Sequence, residues 1–248
     1  MLQQRRIAIV IPAYREARLI GRTLQTLPDF VDAIYVVDDG SPDDTAGAAA
    51  RAGDERLRVL RHASNQGVGK AIVTGYQAAL SEHADVVAVM AGDAQMDPAD
   101  LPALLGPVLS GQADYVKGNR FRSRERRKMP LLRRVAGKVL SLATRLASGL
   151  DVDDCQCGYT AISRRALGKL PLGELWPRFG YPNDLLLLLA QQGLTVAEVT
   201  VRPVYADEQS GIRPWHAALI LGLIARRWLS APALLLADSR HEGAGRSV

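Results

Sequence analysis

The sequence predicts an α/β fold: a doubly wound, mostly parallel sheet in a single domain, with a helical appendage at its C-terminus. Two observations carry this. Short apolar runs alternate with stretches of helical periodicity through the first half of the chain, the pattern of parallel strands joined by right-handed helical crossovers. Three of the runs, 7–11, 34–37 and 86–90, each end in a polar cluster: Pro12-Ala13-Tyr14-Arg15-Glu16, Asp38-Asp39-Gly40-Ser41 and Gly92-Asp93-Ala94-Gln95. Ligands of open α/β sheets collect at the carboxyl ends of the strands, so the three clusters converge on one crevice suited to a charged ligand.

The strand at 7–11 leads into a helix over 17–27, and the strand at 34–37 into a helix over 45–52 that Asp43 or Asp44 caps. A strand at 57–60 precedes a helix at 69–80, and the strand at 86–90 precedes one at 101–109, with Asp97 as its cap. A further strand covers 114–117. A basic helix then runs to about residue 146, and the pattern loosens over 151–160. Helix resumes at 184–192, stops at Gly193 and gives way to a strand at 196–201. Residues 215–237 are rich in Leu, Ile and Ala, but Arg226-Arg227 and Pro232 divide them into runs about half as long as the roughly 20 residues a spanning helix needs. They form either a core helix or one lying in a membrane interface. The polar stretch 239–248 is expected to be disordered.

The 248 residues carry a net charge of +5, and the basicity is local: residues 120–138 hold nine Lys or Arg against Glu125 alone. Such a block can be a plain solvated face. Here Met129, Leu131, Leu132, Val135, Val139 and Leu140 interleave with it at near-helical spacing, giving an apolar side beneath the charges. That combination favours a helix on an anionic membrane surface over one on nucleic acid, since no aromatic platform for stacking bases accompanies it. Cys155 and Cys157 are one residue apart, too close for an ordinary bridge and too few for a structural zinc site, so they read as packing residues of a reducing cytoplasm. The apolar run at 7–11 is too short for a signal peptide.

Further along the chain stand Asn65-Gln66-Gly67-Val68-Gly69-Lys70, Gly118-Asn119-Arg120-Phe121 and Cys157-Gly158-Tyr159. With the three strand-end clusters, they make the chain resemble the inverting family 2 glycosyltransferases of GT-A fold, and within them the dolichyl-phosphate mannose synthase type. The resemblance implies a transferase domain over 1–213, with a nucleotide-sugar half at 1–118 and an acceptor half at 119–213, followed by the helical segment 214–238. It implies a hexosyl- or N-acetylhexosaminyl-transferase taking a UDP- or GDP-sugar as donor and a polyprenyl phosphate as acceptor, peripheral at the inner face of the cytoplasmic membrane. A lipid-linked glycan or polysaccharide acceptor is the alternative, and a catalytically inactive nucleotide-sugar-binding protein the alternative of another class. A nucleotidyltransferase is disfavoured because residues 12–16 hold no glycine to cradle phosphate.

The carboxylate of Asp38 or Asp39 can meet the nucleotide base, and the resemblance points to Asp39. Pro12, Tyr14 and Glu16 would shape the floor under base and ribose, Gly67 and Gly69 would let backbone approach the nucleotide, and Lys70 would meet its phosphates. A diphosphate leaving group calls for a divalent cation, Mg2+ or Mn2+, held by hard oxygen ligands, for which Asp93 and Gln95 stand ready. The family pattern has an Asp where this chain has Ala91, which removes one carboxylate. Arg120 would face the sugar donor or the acceptor phosphate, or else simply open the basic run. Gln156 and Cys157 occupy positions of acceptor contacts, Cys157 standing where a Ser is commoner. A phosphate acceptor is already an anion and needs little base catalysis. For a hydroxyl acceptor Asp184 is the candidate base, a helix-capping role for Asn183 or Asp184 being the alternative. Glu208, Ser210 and Arg213 lie in 205–213, which resembles a mobile acceptor loop and equally resembles a solvated connection.

Overall fold

The computed structural model describes residues 2–203 and 214–243. Seven strands form one sheet: β1 (Ile7–Ala13), β2 (Ala33–Asp38), β3 (Leu57–Arg61), β4 (Val86–Val89), β5 (Tyr115–Asn119), β6 (Thr160–Ser163) and β7 (Val196–Thr200). Their order is β3-β2-β1-β4-β6-β5-β7. All pairings are parallel except those of β6, which runs antiparallel to both β4 and β5. The doubly wound, mostly parallel sheet expected from the sequence is present.

Period-2 alternation sends successive side chains of β1 to opposite faces, and both faces are covered. Ile7, Ile9 and Ile11 pack with α1 (Ile20–Gln25), α2 (Thr45–Ala50) and α4 (Leu101–Leu109). Ala8 and Val10 face the other layer, built from α3 (Val68–Ser81), α5 (Leu131–Ser148), α6 (Arg164–Lys169), α7 (Tyr181–Gln191) and α8 (Pro214–Gly243). Strands buried on both faces read as continuous apolar runs, which is why β1, β2 and β4 were legible. β6 is four residues, Thr-Ala-Ile-Ser, and its place between β4 and β5 comes from pairing with distant strands. It falls just past the stretch read as loose. Ser163 then caps α6 by accepting from the Ala166 amide at 3.0 Å.

The basic block is not one helix. Arg120 follows β5, residues Arg124–Lys128 form a 3-10 turn, and only after Pro130 does α5 begin. The apolar side faces outward: Met129 and Leu140 are buried, but Leu131, Leu132, Val135, Val139, Leu142 and Leu146 are exposed. The buried side of α5 is instead Gly137, Leu140, Ser141 and Thr144. In α8, Ile220, Leu223 and Ile224 are buried while Trp215, Leu219, Trp228 and Leu229 are exposed. This helix passes Arg226-Arg227 without a break and continues through Gly243, into the stretch expected to be disordered. Among the described residues, no helix is long and apolar enough to cross a membrane.

Candidate active site

The loops after β1 and β2 are knitted together. Ala13 O accepts from the Asp39 amide at 2.9 Å, the Arg15 amide donates to Ser41 Oγ at 3.0 Å and the Glu16 amide to Thr45 Oγ1 at 2.9 Å. This holds Arg15 at a φ of 62° and presents Tyr14, 39 % exposed, to solvent. The two adjacent aspartates have different tasks. Asp38 is wholly buried, accepts from the Ser41 amide at 2.9 Å and pairs with Arg61 Nε at 3.2 Å, so it closes the turn. Asp39 faces a cleft of about 590 Å³ whose walls include Pro12, Tyr14, Arg15, Asn65, Gly67 and Arg178.

Asp39 is held from three directions. Its Oδ1 accepts from the Gln66 amide at 2.9 Å and lies 2.7 Å from His62 Nδ1, while Oδ2 accepts from the Gly67 amide at 2.7 Å. The Gly-x-Gly step serves packing as well as access. A Cβ on Gly67 would lie 2.4 Å from Pro177 O, and one on Gly69 would lie 2.2 Å from Trp176 O. The close approach these glycines allow is therefore to the 176–178 segment, whose Pro177 O also accepts from the Lys70 amide at 3.2 Å. The Lys70 side chain is exposed and is not part of the cleft wall. Arg15 and Arg178, which the sequence did not single out, supply positive charge there.

At the end of β4, Thr23 Oγ1 donates to Gly92 O at 3.1 Å. Asp93 Oδ1 accepts from the Gln95 amide at 3.0 Å across Ala94, whose φ is 57°. One tight turn thus carries the carboxylate and the amide oxygen that a hard cation prefers. Among the described residues, no three His, Cys, Asp or Glu side chains gather as a metal cluster. Asp97 accepts from the Ala99 amide at 2.9 Å, the capping role expected of it.

A second, small cavity joins Gln95, Arg120, Cys157 and Tyr159 to Arg133 of α5. Arg120 is clamped by Asp154, donating from Nε at 2.8 Å and Nη2 at 2.9 Å. Burial is the largest influence on the Asp154 carboxyl and would raise it, but the Arg120 charge, the Arg120 hydrogen bonds and the Lys117 charge together hold it below the usual carboxylate range. Beneath lies a residue the sequence reading missed. Lys117 is fully buried on β5 and donates its Nζ to Cys157 O at 2.6 Å. Its burial lowers the ammonium pKa. A lysine inside an apolar strand was the available signal. The Cys157 and Cys155 thiols are buried and unbridged, as packing residues should be. Gln156 turns away from this cavity and donates to Asn183 Oδ1.

Asp184 is not brought to either cavity. It is wholly buried in the first turn of α7, where it accepts from the Trp176 amide at 2.8 Å, from Arg227 Nε at 2.8 Å and from Arg227 Nη2 at 3.1 Å. Both oxygens are engaged by a permanent cation, which is the environment of a structural carboxylate and not of a proton acceptor. It is not the helix cap either, because Gly180 holds that position. Glu208, Ser210 and Arg213 lie outside the described residues.

The cleft at the carboxyl ends of β1 and β2, with Gly92 of the turn after β4 packed close to Ala13 and Glu16, agrees with the likeness to known proteins. The model of "Glycosyl transferase family 2" matches residues 8–170. The chain belongs to that family. It is a glycosyltransferase, and its relatives include a UDP-N-acetylglucosamine–dolichyl-phosphate N-acetylglucosaminyltransferase of Methanococcus voltae, 29 % identical over 81 % of this chain and 86 % of that one. An undecaprenyl-phosphate mannosyltransferase of Micrococcus luteus is 31 % identical over 79 % of this chain and 82 % of that one. Among solved structures, glucosyl-3-phosphoglycerate synthase of Mycobacterium tuberculosis, in complex with Mn2+, UDP and phosphoglyceric acid, superimposes with a TM-score of 0.67 at 22 % identity. The match covers 92 % of this chain and 78 % of that one, and it shows the shared GT-A-like fold.

Proposed function

We propose that this glycosyltransferase moves a sugar from a nucleoside-diphosphate sugar to a polyprenyl phosphate, with inversion, at the cytoplasmic face of an anionic membrane. The observation that carries the reading is the small cavity in which Gln95 and Arg120 meet Arg133 of α5. It would set Gln95 of the proposed cation turn against a helix whose outer side is apolar and basic. A phosphate on a membrane-embedded chain can enter there, meet Arg120 and Arg133, and remain attached to a lipid tail lying along α5.

Asp39 and the walls around it would hold the nucleoside, with Arg15 and Arg178 near its charge. Asp93 and Gln95 would hold a divalent cation, which when bound neutralises charge developing on the diphosphate. The acceptor oxygen attacks the anomeric carbon from the side opposite the diphosphate. One C–O bond forms as the other breaks, and no proton has to move. That balance suits a chain in which the base the sequence offered, Asp184, is locked to Arg227 away from both cavities. Arg120, kept rigid by Asp154, would orient the attacking phosphate, and such pre-positioning is a large part of what catalysis of this kind requires.

The test is a panel of UDP- and GDP-sugars with Mg2+ or Mn2+, with and without short-chain polyprenyl phosphate in anionic vesicles. A lipid-linked sugar product supports the proposal. Turnover only with a glycan or soluble acceptor overturns the polyprenyl assignment, and absence of any turnover overturns the catalytic one.

A further inference from the structure

The proposed function leaves the nucleobase open. Resting on that reading, we infer that the donor is a uridine nucleotide, selected against guanosine because His62 and two backbone amides leave Asp39 a single hydrogen-bond position for the base.

A carboxylate has about four acceptor positions, two on each oxygen. On Asp39, Oδ1 receives His62 Nδ1 at 2.7 Å and the Gln66 amide at 2.9 Å, so both its positions are filled. Oδ2 receives the Gly67 amide at 2.7 Å, and among the described residues one position remains. The orientation of His62 is fixed from its far side, where Nε2 lies 2.9 Å from Thr74 Oγ1. With Nδ1–H donating to the carboxylate, Nε2 accepts the threonine hydroxyl proton, and both partners of the ring are satisfied. Its side chain is 9 % exposed, so it is a packed group behind Asp39 and not a mobile surface group.

The edges of the bases differ in what they ask of such a wall. Uracil presents one N–H between two carbonyl oxygens. Guanine presents two adjacent N–H donors, whose natural partner is a carboxylate accepting with both oxygens. Cytosine has an acceptor nitrogen where uracil has its N–H. Asp39 offers one acceptor, and Arg15, Asn65 and Arg178 bring N–H donors to the same cleft. This is the complement of uracil. Guanine would find the second oxygen already filled and its amino group without a partner, and cytosine would set an acceptor against a carboxylate. A donor left unsatisfied in a buried site is penalised more than a made bond gains, which is how polar sites reject near-isosteres.

The experiment is calorimetric titration of the full-length protein with UDP, CDP and GDP in the presence of Mn2+. UDP should bind at least about tenfold more tightly than either of the others. GDP affinity equal to or above that of UDP overturns the inference. His62→Phe keeps a ring packed behind Asp39 and returns a position to Oδ1, so the UDP preference over GDP should shrink at least about fivefold. An unchanged ratio in a variant with native circular dichroism overturns the part assigned to His62. The wild-type panel decides the base preference even if that variant does not fold. If none of the three nucleotides binds, the cleft is not the nucleotide site and the proposed function fails with it, an outcome distinct from binding without preference.

Discussion

Arg227 and Asp184 form a buried bidentate pair, with the guanidinium 14 % exposed and the carboxylate not at all, and it ties α8 to the first turn of α7. Removing one partner of such a pair leaves an uncompensated charge inside the protein. Arg227→Ala should therefore lower the free energy of unfolding by about 3–5 kcal/mol. Adding Asp184→Asn should recover much of that loss, because no charge is then left stranded. Urea unfolding of the wild type and the two variants checks both expectations, and equal destabilisation by the single and double changes would contradict the pairing argument.

Asp93→Ala should abolish sugar transfer while leaving the fold intact. The change removes the carboxylate of the turn after β4, whose backbone is separately anchored by Thr23 on Gly92 O. Loss of one such electrostatic contact lowers turnover by about 10² to 10³. Excess EDTA should act in the same direction on the wild type. Near wild-type rates in a cation-saturated assay, or activity indifferent to the chelator, would remove the cation from Asp93.

Asp39→Ala should raise KM for the nucleotide sugar more than it lowers kcat, because contacts to the base are shared by ground and transition states. The structure adds a second consequence. The Gln66 and Gly67 amides and His62 would all lose their acceptor, which costs about 1–3 kcal/mol for a buried group left unsatisfied. Steady-state kinetics beside a thermal melt separates the two effects. A KM change without any loss of stability would show that water replaces the carboxylate.

How much of this was legible follows from the range of the interactions. The apolar runs of β1, β2 and β4, and the polar clusters at their carboxyl ends, are written locally, because strands buried on both faces admit few polar residues. The division of labour between Asp38 and Asp39 is not, since it depends on Arg61 and His62 arriving from β3 and the loop after it. Asp184 looked available for catalysis because its partner lies 43 residues away on α8. The α5 periodicity correctly announced an apolar stripe. Periodicity cannot say which side of a helix meets the protein, and small residues, Gly137, Ser141 and Thr144, took the inward side along with Leu140. Gly67 and Gly69 announced a close approach, but what approaches them includes the backbone of 176–177, a hundred residues on.

The Arg120–Asp154 pair gives a pH dependence. Asp154 is fully buried and titrates below the usual carboxylate range, so its contribution to stability is present above the unfolded-state value of about 3.9 and is lost as pH falls through the lower folded-state value. Arg120→Gln removes a charge that helps to hold the carboxyl down. The folded-state value of Asp154 then rises, and acid unfolding should begin at a higher pH than in the wild type. An acid titration followed by circular dichroism reads the midpoint. No upward movement would mean that the Asp153–Asp154 loop is held by Glu198, which accepts both amides, without help from the arginine.

The outward stripe of α5 makes the last prediction. Leu132, Val135, Val139, Leu142 and Leu146 recur at spacings of three and four, with Leu146 77 % exposed, and Arg122, Arg126, Lys138 and Arg145 surround a hollow that Leu142 also lines. Burying such a stripe in the headgroup region gains roughly 25 cal/mol per Å² of apolar surface. Each nearby basic residue adds about 1 kcal/mol on an anionic surface, a term that salt screens. Two sets of changes should therefore separate by their salt response. Replacing Arg126, Arg127, Arg134 and Lys138 with Gln should release the protein from anionic vesicles and abolish the salt dependence of what binding remains. Replacing Val135, Leu142 and Leu146 with Ser should weaken binding at every salt concentration. Arg120 and Arg133 stay in place because they line the small cavity with Gln95. Nucleotide-sugar hydrolysis should survive both sets while transfer to a vesicle-embedded acceptor falls. Vesicle co-sedimentation, run beside filter binding to RNA and sedimentation analysis of the protein alone, makes the comparison. Tighter binding to RNA than to lipid would assign the basic hollow to nucleic acid. Self-association that the serine changes abolish would make the stripe a contact between two copies of the chain.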